Sequence, residues 1–205
     1  MFSYIVNFTL IVFIVSLFIG SFHLYRVSNR NKKELKPYAT DNIVYKNDLG
    51  KVLVVYYSLS GNTKQIAETI AKKTNADLFE IKTLEQAKLG LSFYIEIKKQ
   101  LNTKKYPKIE NKMPDFLKYD TIFVGFPVWW YTMATPGLSF LQKADFRNKK
   151  VVPFSTQGSN YGSFFEDFKK MAKNANILEG NQFNNVGKKY NNAVDSKISD
   201  WLNQI

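Results

Sequence analysis

The sequence predicts an α/β fold, a parallel sheet covered by helices on both faces, preceded by an N-terminal transmembrane helix. Two observations predict the sheet. Val52-Leu53-Val54-Val55-Tyr56-Tyr57 and Thr121 to Phe126 are nearly unbroken apolar runs, the pattern of strands buried on both faces. Each is followed by a loop of unusual composition and then by a stretch with helical features. A third observation predicts the anchor: Met1 to Tyr25 contains no Lys, Arg, Asp or Glu.

At 205 residues and 45 % apolar content the chain has room for one domain plus an extension. With no cysteine, disulfides, thiolate metal sites and thiol redox chemistry are excluded, so any redox function must come from a cofactor. The formal charge is +12, and six of the 29 Lys and Arg precede Lys51, so the part beyond residue 50 is itself basic. That balance favours acidic partners or an anionic membrane surface and could equally suit nucleic acid, which the chain as a whole does not lead us to expect as a partner.

In the first segment, Ile5, Val6, Phe8 and Leu10 to Ile19 make a stretch long enough to span a bilayer, for which about 20 apolar residues suffice. A cleaved signal peptide is the competing reading. No basic region precedes the apolar run and no clear small-x-small site follows it, which favours a retained anchor over residues 1–25. Arg26, Arg30, Lys32, Lys33 and Lys36 come next, and such flanks favour a cytoplasmic position against anionic headgroups. His23 is read as interfacial. Residues 26–50 are expected to form a basic juxtamembrane segment and a linker, because 31–50 carry Pro37, Asn42, Asp48 and Gly50 with no sustained period.

The first strand runs into Ser58-Leu59-Ser60-Gly61-Asn62-Thr63 and then a helix from Lys64 to Lys73, with Ile66, Ala67, Ile70 and Ala71 on one face. At a helix N-terminus the free N–H groups and the dipole favour an anion. Ser58, Ser60, Thr63 and Asn62 add hydroxyl and amide donors, and Gly61 permits a tight turn, so the loop reads as a phosphate cradle. It is neither a Walker A loop nor a three-glycine dinucleotide fingerprint. The plain alternative is that Ser60 or Asn62 only caps the helix.

Asn75 to Thr83 is the second strand. Leu84 to Asn102 reads as a long helix through Gly90, with Leu91, Tyr94, Ile95, Lys98 and Leu101 on one face. Lys98, Lys99, Lys104, Lys105, Lys108 and Lys112 form either a solvated surface or a docking patch for an acidic reductase or lipid. After the third strand comes Pro127-Val128-Trp129-Trp130-Tyr131, three adjacent aromatics suited to contact a flat ligand or to close the core. Pro136 opens the next helix. Lys149 to Thr156 is the fourth strand despite Pro153, which costs a ladder donor. Thr156-Gln157-Gly158-Ser159-Asn160 then offers amides to a polar ligand edge, or merely forms a loop before the helix Ser163 to Lys173, whose Glu166 and Asp167 are read as surface charges. Ile177 to Val186 should contain the last strand. A final helix places Val194, Ile198, Trp201, Leu202 and Ile205 on one face.

The stretch Tyr56 to Thr63 resembles the FMN-phosphate loop of the flavodoxin-like family, and Gly125-Phe126-Pro127-Val128-Trp129-Trp130 with Pro136 resembles its aromatic loop. The resemblance covers about residues 51–205. It implies a doubly wound five-stranded parallel sheet of order 2-1-3-4-5 and non-covalent FMN, with strand ends converging at the switch point. Ser58, Ser60, Gly61, Asn62 and Thr63 would hold the phosphate, Pro127, Val128, Trp129, Trp130 and Tyr131 would pack the rings, and Thr156, Gln157, Gly158, Ser159 and Asn160 would meet the pyrimidine edge. No acid–base catalyst is implied. The expectation is a redox protein that carries electrons to protein partners or a small acceptor. The alternatives are an NAD(P)H-dependent quinone reductase on the same fold and a flavin-free, membrane-tethered binding module.

Overall fold

The alternation of side chains along a strand explains the unbroken apolar runs. In β1 (Val52–Tyr56), Val52, Val54 and Tyr56 enter one core while Leu53, Val55 and the following Tyr57 enter the other. Every position is therefore buried. The computed structural model describes residues 2–40, 42–85, 87, 90–184 and 192–205.

β1 lies between β2 (Asp77–Glu80) and β3 (Thr121–Trp129), parallel to both. A two-residue strand, β4 (Thr132–Met133), folds back antiparallel on the end of β3. On its other side β3 pairs in parallel with β5 (Lys150–Gln157), and β5 pairs with β6 (Asn176–Ile177) and β7 (Asn181–Asn184). With β4 set aside and β6 and β7 counted as one interrupted strand, the order is the expected 2-1-3-4-5.

The interruption has a cause in β5. Pro153 has no N–H to donate, and its carbonyl faces Gly180, where an added Cβ would come within 2.4 Å of that oxygen. Leu178 N–H still donates to Val151 C=O, but the strand pairing lapses between Ile177 and Asn181, so proline sits inside the sheet at the break in its neighbour rather than at an outer edge.

Helix α1 (Phe2–Leu35) precedes the sheet. On one face of the sheet, α2 (Asn62–Thr74) buries Ile66, Ala67, Ile70 and Ala71. The other face holds α3 (Leu91–Thr103), α4 (Thr135–Lys143) and α5 (Phe164–Met171), around Phe126, Phe140, Phe146, Phe164 and Phe168. The last helix, α6 (Asn192–Asn203), joins α2 and packs Val194, Ile198, Trp201 and Leu202 as expected, with Ile205 against the same cluster. Each such side chain contributes about 1.5–3 kcal/mol on burial.

Three expectations need correction. The helix through Gly90 does not start at Leu84: α3 begins at Leu91, and Leu84 and Glu85 lie outside it. Its inward row is Phe93, Ile97 and Leu101, while Tyr94 and Ile95 face solvent, because the i, i+4, i+8 row carries the larger continuous apolar surface. Residues 31–35 are not linker but the end of α1, and the rest of that stretch is docked. Tyr38 donates to Asp200, Lys46 N–H donates to Asn203, and the Asn47 amide binds the carbonyls of Leu202 and Ile205. Finally, the last strand is split; the part expected over 185–186 lies outside the described residues.

Candidate cofactor cleft

The carboxyl ends of β1, β3 and β5 deliver three loops to one cleft of about 490 Å³, within the usual size of a small-molecule site. Its walls are Leu59 and Ser60 from the first loop, Pro127 to Tyr131 from the second and Gln157 to Asn160 from the third. Phe93 and Tyr94 of α3 complete it. The sequence reading missed Leu59, Phe93 and Tyr94; for the last two, a correct helical phase would have placed Phe93 inward.

In the first loop Gly61 is the N-cap of α2 at φ 89°, a left-handed conformation that favours glycine. Neither Ser60 nor Asn62 takes the cap position. The first intrahelical bond runs from Gln65 N–H to Gly61 C=O, leaving the N–H groups of Asn62, Thr63 and Lys64 at the open end. Ser58 Oγ is buried without a partner. The Thr63 hydroxyl lies 2.7 Å from that of Thr156, so these two residues tie the first loop to the third. Ser58, Gly61, Asn62, Thr63 and Thr156 thus stand behind or beside the cleft wall, while Ser60 lies in it.

The aromatic loop is a tight hairpin. β3 continues through Pro127 to Trp129, and Trp130 and Tyr131 form the two-residue turn at φ 49° and 63°. Trp129 is held edge-on between Tyr57, at 5.7 Å, and Phe93, at 4.9 Å. Burial pushes the Tyr57 hydroxyl up to about 12, so it stays neutral at physiological pH. Trp130 leans on α3, donating its Nε1–H to the Tyr94 carbonyl, with Lys98 Nζ 5.0 Å from its ring centre.

Tyr131 C=O accepts from Ser163 N–H at 2.8 Å, and the Asp167 carboxylate accepts from both Thr132 and Ser163 hydroxyls. Asp167, read from sequence as a surface charge, therefore fastens the hairpin to the third loop. Gln157 is buried; its amide N–H donates to Gln182 and its Oε1 has no partner. Behind Trp129 and Phe93 lies a second cleft of about 510 Å³, lined by Thr83, Gln100, Pro107 and Thr135 among others.

The arrangement fits FMN. Open helix N–H groups and a partnerless Ser58 hydroxyl suit a phosphate, a half-buried aromatic wall suits a flat ring system, and the free Gln157 carbonyl suits a ring N–H.

A family model described as Flavodoxin matches residues 51–205. Among solved structures, a Lactobacillus acidophilus flavoprotein in complex with FMN is 28 % identical, with a TM-score of 0.59, covering 65 % of this chain and 93 % of that one. A protein of Bacteroides eggerthii described as a flavoprotein is 28 % identical with a TM-score of 0.65, over 76 % of this chain and 98 % of the other. A Bacteroides uniformis counterpart, 24 % identical with a TM-score of 0.65 over 75 % of this chain and 97 % of its own, shares the fold. No curated protein matches the chain.

Proposed function

Because the chain belongs to the flavodoxin family, we propose that it is a membrane-anchored redox protein that holds FMN in this cleft and transfers electrons through it. The observation that carries the reading is the convergence of three loops on one cleft, with partnerless polar atoms at Ser58 and Gln157. FMN, when bound, supplies the electron chemistry.

The chain's own residues bind, orient and exclude water. The N–H groups of Asn62, Thr63 and Lys64 and the hydroxyls of Ser58 and Ser60 hold the phosphate. Trp129 and Trp130 bound the ring site, and the Trp129 position is fixed by Tyr57 and Phe93. Gln157, Gly158, Ser159 and Asn160 meet the polar edge of the ring. The aromatic wall lowers the local dielectric, so each hydrogen bond from the third loop weighs more on the reduction potential than it would in water. α1 retains the domain at the bilayer, and Arg26, Arg30, Lys32, Lys33 and Lys36 favour the cytoplasmic side.

The second cleft favours one further reading, an NAD(P)H-dependent quinone reductase, because it offers room for a small acceptor one aromatic layer from the first. Steady-state NAD(P)H oxidation with a quinone supports that reading; no turnover leaves electron carriage.

The test is the visible spectrum of the purified full chain in detergent, before and after FMN and then anaerobic dithionite. Saturable, near-stoichiometric binding that bleaches on reduction is the expected result. A folded protein that takes up no FMN overturns the reading.

A further inference from the structure

We propose that the mouth of the cofactor cleft docks on the headgroup layer of the membrane that α1 enters. The inference rests on the reading of an anchored FMN protein and adds which way the cleft faces.

The first observation is where α1 meets the domain. Lys197 of α6 is buried and its ammonium is paired with Glu34, in the last turn of α1. The same ammonium donates to Gln182 C=O, Asn184 Nδ2 donates to Glu34, and the Gln182 side chain accepts from Gln157 in the cleft wall. A polar link, joined through the covalent frame of Gln182, therefore runs from the cleft wall to the end of α1. Contacts then progress in register: Glu34 with Lys197, Tyr38 with Asp200, and Lys46 with Asn203. The N-terminal segment thus runs alongside α6 from its middle to its end, and Leu49 finishes beside the beginning of β3, where Thr121 Oγ1 donates to its carbonyl. Followed in the other direction, α1 leaves the domain at the carboxyl edge of the sheet, where β7 ends at Asn184 beside Gln157. That is the edge holding the cleft.

The distance is short. From Tyr25, the end of the uncharged segment, to Glu34 is nine residues, or about 14 Å of helix at about 1.5 Å per residue. Val27 is buried, on the same helix face as Asn31 and Glu34, which meet Asn184, Val194 and Lys197 of the domain.

The second observation is what rims the cleft. Tyr94, Trp130 and Tyr131 line it and are exposed, Tyr131 to 63 %; exposed Tyr161 follows Asn160 of its wall, and Ile95, 71 % exposed, sits next to Tyr94 at the adjoining second cleft. They come from α3, the hairpin and the third loop, and the loops are joined by the Ser163 to Tyr131 bond. Tyrosine and tryptophan are the side chains that settle at a membrane interface, with an apolar body and a polar tip. Lys98 beside Trp130 and the arginines and lysines of α1 supply the matching charge for anionic headgroups. An aromatic rim at the edge from which the anchor departs fits the bilayer surface. In that pose the cleft opens toward the lipid, so its electron partner is reached at the membrane and not from bulk solvent.

The chain has no cysteine, so single thiols can be placed at will. Ile95→Cys, Tyr161→Cys and, at the opposite edge beside the start of β3, Leu117→Cys would each carry a nitroxide in the full-length protein, reconstituted into vesicles of phosphatidylcholine with phosphatidylglycerol. Collisions with dissolved oxygen and with a water-soluble nickel chelate are then read by electron paramagnetic resonance. Docking requires oxygen collisions to exceed nickel collisions at positions 95 and 161, with the reverse at 117. FMN absorbance and resistance to carbonate extraction are recorded on the same samples. Nickel-dominated collisions at all three positions in an inserted, yellow protein overturn the docking and leave the FMN reading standing. A colourless protein that still shows the lipid signature overturns the FMN reading and keeps the docking. A protein extracted by carbonate removes the anchor and with it the docking.

Discussion

The hydroxyls of Thr63 and Thr156 lie 2.7 Å apart in the buried space between the first and third loops. This contact joins the start of α2 to the end of β5 and sets the spacing between the two polar walls of the cleft. Removing one partner leaves the other buried and unsatisfied, which costs about 1–3 kcal/mol, whereas replacing both by isosteric apolar groups is nearly neutral. Thr63→Val should therefore lower stability by about 2 kcal/mol. Thr63→Val with Thr156→Val should recover most of that loss. Thermal melts of the three variants check the expectation, and a double variant as weak as the single one would mean that the hydroxyl pair is not the source.

The hairpin turn carries strain that a glycine would release. Trp130 and Tyr131 both have positive φ, in a two-residue turn where Asn-Gly or Gly-Gly is preferred. A bulky residue held there costs of order 1–3 kcal/mol. Trp130 recovers part of this through Tyr94 and Lys98, but the Tyr131 ring is largely exposed. Tyr131→Gly loses about 0.5–1 kcal/mol to backbone entropy, so the net expectation is a gain of about 1 kcal/mol. Urea titration measures it. A stabilised variant that also leaves the membrane surface more readily would show that the strain is retained for function.

Much of this was legible in the sequence, and the reason is local. β1 alternates between two cores, so both of its faces are apolar and the strand announces itself. The loops that follow β1, β3 and β5 could be named because their compositions are unusual for connections. What was illegible depends on contacts distant along the chain. Asp167 looks like a surface acid until Thr132 and Ser163 are brought to it. Pro153 contradicts a central strand until the neighbouring strand is seen to break opposite it. The end of α1 reads as linker because Glu34 gains its meaning from Asn184 and from Lys197, 163 positions later.

Alkaline pH should weaken the fold through two adjacent tyrosines. Burial pushes Tyr57 from 10.0 up to about 12, and burial, aided by the carboxylates of Glu80 and Glu68, does the same for Tyr56. Both folded values lie above the unfolded one, so the stability these groups contribute is fully present below pH 10 and is lost as pH rises toward 12. The ultraviolet titration of phenolate should show Tyr56 and Tyr57 ionising late, alongside Tyr38, Tyr45, Tyr106 and Tyr119, which burial also raises. Tyr57→Phe should remove one of them and flatten the alkaline fall in stability. An unchanged titration would place the late groups elsewhere.

The ion pair between Lys197 and Glu34 decides whether α1 and the domain act as one body. The Lys197 side chain is only 7 % exposed, and its ammonium is satisfied by the Glu34 carboxylate and the Gln182 carbonyl, with the Phe183 ring 5.0 Å away. Breaking a buried pair by removing one partner costs about 3–5 kcal/mol, while exchanging both for apolar groups of similar volume is often neutral or better. Glu34 keeps the Asn184 amide and is less buried, so Lys197→Met should fall at the lower end, near about 3 kcal/mol. Lys197→Met with Glu34→Leu should restore the melting temperature. The two variants separate stability from geometry, because an apolar pair can hold α1 against α6 but cannot continue the polar chain through Gln182 to Gln157. If the double variant melts like the wild type yet binds FMN with altered affinity, the polar link from α1 to the cleft transmits more than mechanical support. Equal melting and equal affinity would reduce the pair to a packing contact.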